Sequence, residues 1–153
     1  MIDYVNELRK AYNGDAWHGN NISALIAMAD VDQVFKHPIS DAHSISEIVL
    51  HLTSWTQEVA SRLMGENSRE PINGDWPLPK AETYAEWDFI VSDFNLENEK
   101  LISLIIGFSK ENWLQQVKRD SDGDHNYAEL LNGLIQHHAY HAGQIALLLK
   151  LRS

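Results

Sequence analysis

Leu134-Ile135-Gln136-His137-His138-Ala139-Tyr140-His141-Ala142-Gly143-Gln144-Ile145 lies in an apolar run near the C-terminus and holds three of the chain's eight histidines. Tyr127, Leu130, Leu134, His137, His141, Gln144 or Ile145, and Leu148 follow the 3.6-residue period of one helix face. The spacing predicts a helix from about Asn126 or Asp124 to Lys150 with that face turned to a core. Residues four apart stand one turn above each other, so His137 and His141 can grip one metal ion between them. His138 and His141, three apart, can share a face as well. The pair 137/141 fits the apolar stripe better, which would leave His138 toward the helix boundary. Two imidazoles make a poor site, so a third ligand has to come from elsewhere in the chain.

The second strong helix signal is Ser44-Ile45-Ser46-Glu47, which has the spacing of a capping box ahead of an apolar run. Ile45, Ile48, Leu52, Trp55, Val59 and Leu63 keep the helical period, and the helix is expected to reach Met64, with Gly65 as its stop. His51 stands inside that stripe, three residues after Ile48 and four before Trp55.

Two further long helices are expected. Ile2 to Tyr12 presents Val5, Leu8 and Tyr12 on one face. Tyr84 to Phe108 presents Trp87, Ile90, Phe94, Leu101, Leu104 and Ile105. Asn21 reads as the N-cap of a short helix from Ile22 to Met28, a better reading of Asn21-Ile22-Ser23 than a glycosylation sequon. Asp32 to Lys36 adds a turn before Pro38, and Ser109 to Asn112 is expected to cap a short helix through Val117. Gly65 to Lys80 carries three prolines and Asn73-Gly74. Its length permits a crossover to the far side of a bundle. No strand pattern appears. The chain reads as all-α, one domain over residues 1–153 with four main helices.

Composition narrows the function classes. The net charge of −10 leaves no basic stripe for nucleic acid. No apolar block is long enough to span a bilayer. The absence of cysteine removes disulfides and thiolate ligands. With no signal-peptide core in Met1 to Lys10, the expected location is cytoplasmic. Asp120, Asp122 and Asp124 fail as an EF-hand, because the sixth position is His125 and the twelfth is Leu131. Five tryptophans leave room for an aromatic interface and a homodimer, although most belong in the core.

A lone buried histidine is ordinarily a hydrogen-bonded core residue. Three on facing stripes each carry a polar ring nitrogen that needs a partner, and one shared cation satisfies all of them. A di-iron carboxylate bundle is the obvious competitor. It needs Glu-x-x-His on two helices, but Glu47 and His51 are four apart, Glu47 serves the cap, and the last helix has no such motif. A mononuclear site fits better.

Ser46 to Trp55, with a histidine followed four residues on by tryptophan, resembles the second-helix motif of the DinB/YfiT-like family of metal-binding four-helix bundles. Gln136 to Ile145 resembles its last-helix His-x-x-x-His-x-Gly-Gln motif, and Ala11 to Gly19 resembles an N-terminal segment found in part of the family. Ala142 stands where many relatives carry arginine. The resemblance spans essentially the whole chain. It implies an up-down-down-up bundle with its crossover between the second and third helices, and His51, His137 and His141 as metal ligands.

Three neutral imidazoles leave an open position for water or a small-molecule substrate, the mark of a catalytic rather than a structural site. All-nitrogen ligation suits one divalent zinc, nickel, iron or copper ion. The resemblance implies two chemistries: transfer of a low-molecular-weight thiol, which would be the cosubstrate, and metal-dependent hydrolysis. The alternative is a non-enzymatic metal-binding or dimerising scaffold. Glu58, two turns beyond His51, is a candidate general base or a solvated face residue. His18 is a candidate for the pocket mouth or for loop packing. Gly143 is expected to admit a neighbouring helix closely.

Overall fold

A computed structural model describes residues 2–118 and 125–151. Among the described residues there are six α-helices, α1 (Tyr4–Tyr12), α2 (Ile22–Ala27), α3 (Val31–Val34), α4 (Ile45–Leu63), α5 (Tyr84–Ile106) and α6 (Tyr127–Leu148), with a 3-10 turn at Lys110–Asn112. The described residues contain no β-strand, only isolated bridges at Ala16–Gly19 and Gln116–Asn126. No described helix is long and apolar enough to cross a membrane.

The helix starts follow the capping chemistry. The Ser44 side chain accepts from the Glu47 backbone N–H while the Glu47 carboxylate accepts from the Ser44 N–H, closing the capping box. Asn126 and Glu129 close a second box at the head of α6. Asn21 caps α2 through the Ala24 N–H. Gly65 ends α4 at φ +92°, in the left-handed region that favours glycine.

The core is shared by α1, α4, α5 and α6. Leu8, Tyr12, Ile48, Leu52, Phe94, Leu101, Leu131 and Ile145 are all buried. α4 packs on α5 and α6, and α1 packs on the other side of the same two helices. Arg9 lies beside Glu99 and Tyr12 beside Asn95, so α1 and α5 run in opposite directions.

Two expectations need correction. The segment after Ser109 does not continue as a helix to Val117. Ser109 makes no side-chain cap, and the chain turns after Asn112. Trp113 then packs on Tyr4 and Phe108, while the backbone around Gln115 to Val117 bonds to His125 and Tyr127. The connection after α4 does cross back along the bundle as expected, but it sets α5 directly beside α4 rather than on the far side. The expected aspartate-rich turn, with Asp120, Asp122 and Asp124, lies outside the described residues.

The length of that connection has another use. It runs back along α4. The Arg69 N–H donates to Glu58 Oε1, Asn73 Nδ2 to Gln57, Ser54 Oγ to the Gly74 carbonyl and Trp55 Nε1 to the Asp75 carboxylate. Loop residues 69 and 73 thus meet helix residues 58 and 57, residues 74 and 75 meet 54 and 55, and Trp76 reaches His43, so the chain returns toward the starting end of α4 before α5 begins.

Glu58 anchors the far end of this ladder. It is 3% exposed and accepts from Arg62 Nε at 2.8 Å and from the Arg69 N–H at 3.0 Å. It is therefore neither a solvated face residue nor free to act as a base. Glu58→Ala leaves the largely covered Arg62 without its counter-charge and is expected to cost about 3 kcal/mol of unfolding free energy. Urea titration checks this; a loss below about 1 kcal/mol would show that the anchor is dispensable.

Candidate metal centre

α4 and α6 present His51, His137 and His141 to one another. Each offers one nitrogen, and the three nitrogens lie within 4.8 Å of one another. His137 Nε2 is central, 2.9 Å from His51 Nε2 and 2.9 Å from His141 Nε2. His51 and His141 are buried and His137 is half-buried.

The outer ring nitrogens fix the tautomers. His51 Nδ1 donates to the Asp75 carbonyl at 2.5 Å, and a carbonyl can only accept. His141 Nδ1 donates to Gln144 Oε1 at 2.5 Å. Both rings, when neutral, therefore direct bare Nε2 lone pairs inward. His137 Nε2 can donate one proton, to one of them. The other contact leaves a bare imidazole lone pair at 2.9 Å with no proton to accept, an arrangement that a shared cation relieves. The donor set thus fits a divalent transition metal, with two of the three imidazoles already oriented by their outer hydrogen bonds.

Burial keeps the rings neutral. It pushes His137 down to about 3, with the neighbouring imidazoles adding to the effect, and His141 down to about 4. His51 is also lowered by burial, against the opposing pull of Asp75. His138, fully buried, is held at about 4.

The sign of the consequence is fixed. Above the ordinary histidine value of about 6.5, folded and unfolded chains are both neutral at these rings. Below it the unfolded chain takes up protons that the fold refuses, so stability falls as pH drops from about 6.5 toward about 4. Metal-free protein is expected to show a lower urea midpoint at about pH 5 than at about pH 7.5, with a smaller difference in His137→Ala. An equal midpoint at the two pH values would contradict the burial of these rings.

The returning loop covers the site. The Trp76 ring stacks on His51 at 3.8 Å and 6°, and His43 stacks on its other face at 3.5 Å and 5°. His43 and His37 in turn approach the Glu47 carboxylate, at 3.4 and 2.9 Å. A stacked face plus a bonded Nδ1 leaves the His51 ring little freedom. Trp76→Ala is expected to weaken metal affinity by about tenfold while leaving the helical content intact, measured by competition with a chelator of known affinity. An unchanged affinity would show that the Asp75 carbonyl alone holds the ring.

Two clefts reach the cluster at His137, one of them also at His141. One, of about 510 Å³, is walled by Ile39, His43, Trp76, Tyr140 and Leu147 and touches His137 and His141. The other, of about 470 Å³, lies between Trp55, Arg62, Glu129 and Leu134 and touches His137.

The model of the DinB superfamily matches residues 16–145, a span that contains all three histidines. The chain belongs to the DinB superfamily. No curated protein matches it. The structure of this DinB-superfamily chain departs from the sequence reading at several side chains. His138 is not at a boundary: it is 0% exposed, with its ring nitrogens 3.1 Å from the Leu134 carbonyl and 3.1 Å from Asn98 Oδ1, and its one N–H donates to one of the two. A Cβ added at Gly143 would meet nothing within 4 Å, so that glycine admits no close neighbour. His18 is exposed and lines a third cavity with Met28 and Ala142, away from the triad.

Asp75, Trp76 and His43 were not identifiable from the sequence as neighbours of the triad. They lie in segments without periodicity, and only the nearby Asn73-Gly74 marked a turn. Gln144 is different: three residues after His141 on a helix, it was within reach of that ring.

Proposed function

We propose that this DinB-superfamily chain is a mononuclear divalent-metal enzyme in which His51, His137 and His141 hold the ion and leave a position open to a small molecule. The observation that carries the reading is the contact of His137 Nε2 with two inward-facing imidazole lone pairs, beside clefts large enough for organic ligands.

When bound, a divalent ion at three neutral nitrogens supplies Lewis acidity that favours the deprotonated form of a water or thiol. The protein's own groups do the rest. Asp75 and Gln144 hold the Nδ1 protons of His51 and His141 and so keep those rings in one tautomer. Trp76 shields the face of His51 from water. Two clefts meeting at His137 favour a reaction between two substrates, transfer of a low-molecular-weight thiol to an electrophile, over hydrolysis, which needs room for only one organic substrate.

Elemental analysis of protein purified without a histidine tag tests the metal. About one ion per chain is expected, lost in His51→Ala. Turnover of a thiol with an electrophile, assayed beside simple esters and amides, tests the chemistry. Reaction of esters alone would make the protein a hydrolase. Full occupancy without reactivity toward either panel would favour a metal-binding scaffold.

A further inference from the structure

The wider cleft also limits what its occupant can be. Its walls are hydrocarbon and ring: Ile39, Ile48, Trp76, Tyr140, Leu147 and Leu148. Among the described residues no lysine or arginine lines it, and its only acidic residue is Asp41. The whole chain carries a formal charge of −10. An anionic group seated along these walls, away from the ion position at His137 and His141, would lose water, find no lysine or arginine beside it and sit against the field of the protein.

A flat apolar group meets the opposite conditions. Tyr140, 65% exposed, stands edge-on to His141 with ring centroids 5.0 Å apart and forms one side of an open slot. Leu147, 55% exposed, lies two turns further along the same face of α6. Both faces of Trp76 are already covered by His43 and His51, so it presents only its edge.

We infer that the cleft between α6 and the Trp76 loop takes the uncharged, aromatic or similarly flat apolar part of a small-molecule substrate, and discriminates against carboxylates and phosphates. This rests on the metal reading above for the position of the reacting atom, but not for the preference of the cleft itself.

Two titrations separate the two. Cobalt(II) is loaded first; a visible spectrum typical of low-coordinate cobalt, absent in His51→Ala, establishes the ion site. Imidazole, 4-phenylimidazole and 4-(4-carboxyphenyl)imidazole are then compared through that spectrum. The phenyl group is expected to tighten binding about tenfold or more over imidazole, and the carboxylate to cancel most of that gain. Leu147→Lys, at an exposed position, is expected to restore binding of the carboxylate compound. The same three compounds titrated into metal-free protein, followed by tryptophan fluorescence, are expected to rank in the same order. No cobalt spectrum, with the fluorescence ranking preserved, would remove the metal reading and keep this one. A carboxylate compound binding as tightly as the phenyl compound, or a phenyl group giving no gain, would overturn the inference whatever the metal does.

Discussion

His137→Ala is expected to reduce metal affinity by at least about a hundredfold and to leave the fold in place. The loss follows from geometry. His137 Nε2 touches both other inward nitrogens, whereas two imidazoles on different helices make a weak two-coordinate clamp. The fold should survive because the residue is only half-buried and opens on both clefts, so its removal enlarges solvent-filled space rather than leaving a void in the core. Metal-free stability is expected to change by less than about 1 kcal/mol. Chelator competition and urea titration of the same preparation check both halves. Retained affinity would move the site off this residue.

The next residue in the chain behaves in the opposite way. His138→Ala is expected to destabilise the protein by about 3–4 kcal/mol while leaving the metal content of the folded fraction unchanged. His138 is completely buried against Phe94, with one ring nitrogen at the Leu134 carbonyl and the other at Asn98 Oδ1, and its single N–H donates to one of these two acceptors. Asn98 is itself buried and spends its amide N–H on the Phe94 carbonyl, so truncation strands a buried acceptor as well as opening a cavity. His138→Gln, which can still donate to Asn98, is expected to recover part of the loss. A stable His138→Ala protein with depleted metal would mean that the two neighbours have exchanged roles.

This pair also shows what periodicity could and could not reveal. A helix turns about 100° per residue, so the stripe through Leu134, His141 and Leu148 identified the face of α6 that meets α4, and the same logic on Ile48, Leu52 and Val59 identified His51. Those two stripes were enough to bring together the three imidazoles that now lie within 4.8 Å. The same reasoning put His138 near the boundary because it assumed one buried face. α6 touches α4 on one flank and α1 on another, and His138 reaches Asn98 of α5. A helix with several neighbours buries more than one stripe, and a single-stripe reading misplaces the residue beside it.

The loop from Gly65 to Lys80 was legible only as long and irregular. Its path along α4, and with it the roles of Asp75 and Trp76, depends on side chains meeting across sequence separations of about twenty residues, which no local pattern encodes. Capping was the reverse case. The Ser44–Glu47 box is a four-residue interaction and was readable as such. Glu58 was misread for a related reason: its helical position was right, but the loop that buries it could not be seen.

The claim on which the functional account stands is that one ion binds to three imidazole nitrogens from two helices. X-ray absorption spectroscopy of untagged, zinc-loaded protein tests it most directly. A first shell of about three nitrogens at about 2.0–2.1 Å, with histidine outer-shell scattering and one further light atom, is expected. A shell dominated by carboxylate oxygens, or a spectrum unchanged in the His137→Ala protein, would contradict it.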